Sequence, residues 1–109
     1  MLPESNPLVL GCAGIIGYEP VGDAIREADL VLAIGSRLSD IQTSRGELLP
    51  ADAPIILVDI EAVALGKEYP PRVGSVSDAK AVADALNEIL EADPPPIPDA
   101  RRHWTASLT

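Results

Sequence analysis

An α/β domain with a mainly parallel sheet is the fold class that this 109-residue sequence predicts, on three observations. Leu30 to Ile34 and Ile55 to Val58 are unbroken apolar runs, the pattern of strands buried on both faces of a parallel sheet. Apolar residues at helical spacing lead into the first run and follow a third, shorter one, the alternation expected of α/β units. The core has to be aliphatic, because phenylalanine is absent and the aromatics are Tyr18, Tyr69 and Trp104.

The elements follow in order. Met1 to Pro7 holds two prolines and reads as irregular. Leu8-Val9-Leu10 is closed by Gly11, and Gly14 and Gly17 follow at a spacing of three. Glycines permit positive φ and close backbone approach, so this loop suits either a structural turn or a ligand wrap, with the turn the more common use. From Pro20, residues Val21, Ala24, Ile25 and Ala28 fall at i, i+3, i+4 and i+7, one face of a short helix with proline in its first turn. That helix runs into the Leu30 strand. Leu38 to Leu49 has no clean period and is broken by Gly46 and Pro50, which predicts a loop with one helical turn at most.

The strand from Pro54 to Ile60 carries Asp59 near its end. A strand-end carboxylate suits ribose hydroxyls and equally suits capping of the turn Glu61 to Gly66. Asp59 and Glu61 are expected to point to opposite sides and so not to act as a carboxylate pair. Lys67 to Arg72, with Tyr69-Pro70-Pro71, reads as a rigid connector, and Val73 to Val76 as a short third strand. Ser77-Asp78 offers an N-cap to the longest helix, whose stripe is Ala79, Val82, Ala83, Leu86, Ile89 and Leu90. Pro94-Pro95-Pro96 ends it, and Ile97 to Thr109 shows no period, which predicts a tail or linker.

Composition narrows the partners. Seventeen acidic against eight basic residues give a net charge of −9, which repels nucleic acid and anionic membrane surfaces. No apolar run approaches the ~20 residues that cross a bilayer. Cys12 stands alone, so no internal disulfide forms and a cytoplasmic setting is expected. His103, the one histidine, lies in the aperiodic C-terminal stretch, and no metal-ligand spacing is present. Ligands of open parallel sheets bind just beyond the strand ends, so Gly35-Ser36-Arg37 is expected to form one wall of any site.

The order of these motifs resembles the central domain of thiamine-diphosphate-dependent enzymes of the acetolactate synthase type. The resemblance rests on Asn6 to Gly11, the Gly14/Gly17 loop, Glu27 to Asp40, Ile56 to Glu61 and Val76 to Lys80. It implies a Rossmann-like, three-layer αβα fold with a parallel sheet of six strands, set between two domains that hold thiamine diphosphate. A further β-α-β portion with a phosphate loop would precede Met1, so the chain is expected to be a truncated form of that fold. Residues 1–92 would be the partial central domain and residues 93–109 a proline-rich tail.

In that family the central domain binds FAD, an adenine nucleotide such as ADP, or nothing. By resemblance, Gly14 and Gly17 would lie along the cofactor, and Arg37 would meet its phosphate or sugar region. Asp59 and Ile60 would hold the adenosine end, with Ser77 and Asp78 bordering the adenine. Ile16 stands where flavin-dependent members typically have histidine, which weighs against FAD, and Arg37 to Asp40 departs from the acetolactate synthase form. Thiamine diphosphate and magnesium would belong only to the complete parent enzyme, acting on 2-oxo acids. The chain alone is expected to be non-catalytic, with the thiamine-binding domains as partners. The alternative is a structural or oligomerisation module that binds no nucleotide. An open apolar edge on the Leu30 strand, or the exposed helix layer, is expected to make the chain a homo-oligomer.

Overall fold

The computed structural model describes residue 3, residues 5–66 and residues 69–108. Met1, Leu2, Glu4, Lys67, Glu68 and Thr109, on which parts of the readings for the N-terminal stretch, the connector and the C-terminal stretch fall, lie outside the described residues. The elements run α1 (Glu19–Arg26), β1 (Val31–Ile34), α2 (Asp40–Thr43), β2 (Ile55–Asp59), a 3₁₀ turn (Ala62–Ala64), β3 (Val73–Val76), α3 (Ala79–Ala92) and α4 (Asp99–Ser107).

The three strands form one parallel sheet in the order β1-β2-β3. Its register pairs Val31 with Ile55 and Ile34 with Val58, then Ile56 with Val73 and Asp59 with Val76. All three C-terminal ends therefore lie side by side. Leu57 and Val58 are both buried, and adjacent strand residues point to opposite faces. Both faces of β2 are thus covered, as a three-layer arrangement requires; α3 packs on β2. The sheet has three strands where the resemblance implies six, and β1 is an edge with Leu32 46% exposed.

Helix α1 begins with Pro20 in its first turn and Glu19 beside the helix N-terminus, and ends at Arg26. Both charges suit the helix dipole. Arg26 also pairs with Asp23 at 2.7 Å. Val21 and Ala24 are buried on its inner side, and Gly22 leaves room for Leu48, which a Cβ would meet at 3.1 Å.

The segment 38–50 does hold one short helix, α2. Its buried Thr43 organises the surrounding loop: Oγ1 donates to Ser39 O (3.0 Å), accepts from Gly46 N (3.1 Å) and meets Tyr69 Oη at 3.2 Å. This contact ties Tyr69 of the connector to α2.

The C-terminal stretch differs from its sequence reading. Residues 99–107 form α4, with Asp99 in the first turn after Pro98. Trp104 Nε1 donates to Glu27 Oε2 at 2.8 Å, 77 positions earlier. Its sequence carries no stripe of repeated apolar positions, so the helix has no period to announce it.

Candidate functional site

A cleft of about 320 Å³ opens where the three strands end. Its wall is made by Gly35 and Arg37 after β1, Val58 to Glu61 at the end of β2, and Ser77 to Ala79 at the start of α3. The parallel register creates it: three strands stop together, and each chain segment must turn away, leaving a crevice between the departing loops.

Each wall has a local cause. Gly35 leaves β1 with φ +68°, a conformation costly for residues with a Cβ, and a Cβ placed there would meet nothing within 4 Å. The glycine is therefore required by the turn and not by crowding. Leu38 follows with φ +50° as the chain turns on toward α2. Arg37 Nη2 donates to Glu61 Oε2 at 2.8 Å. At the end of β2, Asp59 Oδ1 accepts from Glu61 N at 2.9 Å, and Asp59 O accepts from Ser77 N at 3.0 Å. Asp78 Oδ2 accepts from Ala81 N at 3.1 Å and so caps α3. The Ser77 hydroxyl meets that of Ser75 at 2.7 Å.

Of the residues expected at a site, the structure brings Arg37, Asp59, Ile60, Ser77 and Asp78 together in this cleft. Gly14 and Gly17 are not among its lining residues. Ile15 N donates to Ile41 O at 2.8 Å, and a Cβ on Gly14 would run into that same carbonyl. Gly17 N returns to Gly14 O at 2.9 Å, and Tyr18 N to Cys12 O at 3.1 Å. The glycines let this loop close on itself and lie against α2. Ser36 turns away from the cleft: its Oγ donates to Gln42 Oε1 at 3.1 Å.

The expectation that Asp59 and Glu61 part to opposite sides was mistaken. Residues two apart on a strand share a face, and both carboxylate residues line the cleft. Glu61 is the lining residue that sequence reasoning passed over, and its i+2 spacing from Asp59 was the signal available.

Three acidic side chains and one guanidinium make a cleft suited to hydroxyl and amine donors more than to a bare phosphate. Asp59 Oδ2 has no partner among the described residues. The described residues also contain no group of three or more His, Cys, Asp or Glu that could hold a metal ion. Cys12 is exposed, and so is His103 on α4. No helix among the described residues is long and apolar enough to cross a membrane.

Fold and cleft together define a parallel α/β unit with a ligand-sized crevice at its strand ends. Comparison with known proteins gives its family. The sequence model described as "Thiamine pyrophosphate enzyme, central domain" matches residues 1–86. The chain is 36% identical over 94 residues to the acetolactate synthase isozyme 1 large subunit of Escherichia coli (strain K12), covering 86% of this chain and 17% of that protein. It is 37% identical over 90 residues to a probable acetolactate synthase large subunit of Methanocaldococcus jannaschii, covering 83% and 15%. It is 40% identical over 87 residues to a sulfoacetaldehyde acetyltransferase of Roseovarius nubinhibens, covering 77% and 14%. The chain thus belongs to the family of thiamine pyrophosphate enzyme central domains, and it spans about a sixth of the length of these relatives.

Proposed function

We propose that this chain supplies one wall of a nucleotide-binding-type central domain in a thiamine-diphosphate-dependent enzyme acting on 2-oxo acids, an acetolactate synthase-like carboligase or decarboxylase, and that it is not catalytic alone. The observation that carries the reading is the cleft at the strand ends, where Arg37, Asp59, Ile60, Ser77 and Asp78 converge from three elements. The names of the relatives support the 2-oxo acid chemistry. Residues 1–92 form the domain piece, and residues 93–109 form an appendage that folds back through Trp104.

The residues present fit the sugar and base end of a cofactor such as ADP or FAD. Asp59 Oδ2 is free to accept from a ribose hydroxyl, and Ile60, 68% exposed, offers an apolar rest for a ring. They fit a diphosphate less well, since Arg37 is the one cation lining the cleft and Glu61 engages it. Backbone donors for phosphate would come from other parts of the parent enzyme. Thiamine diphosphate, held with magnesium by the thiamine-binding domains, would supply carbanion stabilisation. In this reading the protein is cytoplasmic and associates with itself.

A second reading, a structural or oligomerisation module that binds no nucleotide, has its own support. Arg37 is already paired, while Asp59 Oδ1 and Asp78 Oδ2 serve backbone N–H groups. Calorimetric titration of the folded chain with ADP, FAD and coenzyme A separates the two. Binding that Asp59→Ala and Arg37→Ala both weaken supports the cofactor wall. No heat with any of the three, from a chain with intact circular dichroism, favours the structural module.

A further inference from the structure

One side-chain oxygen closes the turn that carries Arg37. Gln42 Oε1 accepts from Ser36 Oγ at 3.1 Å, from Ser39 N at 3.1 Å and, at the longer distance of 3.4 Å, from Ser39 Oγ. Ser36 Oγ in turn accepts from Leu38 N at 3.3 Å. Arg37 and Leu38 are therefore enclosed between a clamped Ser36 and a clamped Ser39. The enclosed backbone is not relaxed: Leu38 holds φ +50°, a left-handed conformation unfavourable for a residue with a Cβ, which persists only while its surroundings hold it.

A capping box explains only part of this arrangement. Ser39 and Gln42 stand at the N-cap and N3 positions of such a box, whose role is to satisfy a helix N-terminus. Ser36 lies outside it, and its hydroxyl carries the clamp back across Arg37. Helix α2 is secured independently of the Gln42 side chain: Thr43 N and Oγ1 both donate to Ser39 O, at 2.9 and 3.0 Å, Thr43 Oγ1 meets Tyr69 Oη, and Ile15 N donates to Ile41 O. The sheet end is fixed by Gly35 N, which donates to Val58 O at 2.8 Å. Gln42 thus joins an anchored helix to the turn from which Arg37 enters the cleft.

We infer that Gln42 is a positioning residue for the cleft, one that fixes the turn from Ser36 to Ser39 and with it the aim of Arg37 at the phosphates of a bound nucleotide. This rests on the cofactor-wall reading proposed above and assigns the control of its phosphate recognition. Aim matters because Arg37 is the one cation among the lining residues, beside Asp59, Glu61 and Asp78. An anionic group displaced from the guanidinium meets carboxylates. The ion pair with Glu61 does not set the aim alone, since both side chains are more than half exposed and exposed pairs contribute little. Gln42 is not among the residues that line the cleft. It acts through Arg37, so its loss affects the phosphate-bearing part of a ligand and leaves the adenosine part alone.

The Arg37 Nε resonance, assigned by its loss in Arg37→Lys, reads the positioning without any ligand. Its heteronuclear NOE in the full chain is expected to show an ordered side chain in the wild type, a mobile one in Gln42→Met, and order regained in Gln42→Glu, whose carboxylate oxygen accepts from the same donors. Ser36→Ala, which removes the hydroxyl between Leu38 N and Gln42, is expected to loosen Arg37 as well; should Gln42→Met fail to fold, it decides in its place. In calorimetric titrations, Gln42→Met is expected to weaken ADP by roughly threefold to tenfold, part of what a hydrogen bond to a charged group is worth. It should leave adenosine unchanged and have no further effect in an Arg37→Ala background. An Arg37 side chain that is mobile in the wild type, or as ordered in both variants as in the wild type, overturns the inference. So does an equal loss for ADP and adenosine, or no loss of ADP where the wild type binds it. A wild type that binds no ADP overturns the cofactor-wall reading instead, and the NOE then decides alone whether Gln42 aims Arg37.

Discussion

Arg37 Nη2 and Glu61 Oε2 lie 2.8 Å apart, joining the segment that leaves β1 to the segment that leaves β2 across the candidate cleft. Both side chains are more than half exposed. The pair therefore contributes little to folding, and its importance is to fix where the cleft's one positive charge points.

Glu61→Gln is expected to release Arg37 and to tighten binding of ADP measured by calorimetry, because the guanidinium becomes available to phosphate. Thermal stability should change by less than about 1 kcal/mol, as is usual for exposed ion pairs. Unchanged affinity would place the phosphate away from Arg37.

Gly35→Ala tests the turn that shapes the same wall. With φ +68° and open space around the added methyl, the cost is conformational, roughly 1–2 kcal/mol. Gly35→Asn should cost less, since asparagine tolerates the left-handed region better. Urea denaturation midpoints give the comparison.

Thr43→Val removes a buried hydroxyl that serves Ser39, Gly46 and Tyr69. Losing it takes the partner from the tyrosine hydroxyl and leaves Gly46 N with the Thr43 carbonyl alone at 3.1 Å, with an expected destabilisation of about 1–3 kcal/mol. Tyr69→Phe, which removes only one of those contacts, should cost less in the same denaturation experiment.

Trp104→Phe keeps an aromatic ring but removes the hydrogen bond to Glu27. A nine-residue helix is marginal in water without tertiary support. Hydrogen exchange should therefore quicken across residues 99–107 while α3 and the strands keep their protection.

Much of this architecture was legible because it depends on local pattern. The runs at Leu30 and Ile55 became β1 and β2, Val73 to Val76 became β3, and Asp78 caps α3 as its position before the apolar stripe indicates. Five of the seven site residues converge in one cleft because parallel strands ending together bring their exit loops together. Two features were not legible. By its spacing the glycine loop suits either a ligand wrap or a structural turn, and only the structure shows that it lies against the Ile41 carbonyl of α2. Helix α4 has too little apolar periodicity to announce itself.

By itself, then, the sequence determined the α/β class, the order of the elements and the strand ends near Gly35, Asp59 and Ser77, because alternation, capping and turn chemistry act over a few neighbouring residues; the family came from the resemblance of its ordered motifs to known proteins. Tertiary structure decided which of those residues share a cleft, that Glu61 reaches Arg37 across 24 positions, and that Trp104 returns to Glu27. Those outcomes depend on segments distant in sequence meeting in space, and no local spacing encodes such a meeting.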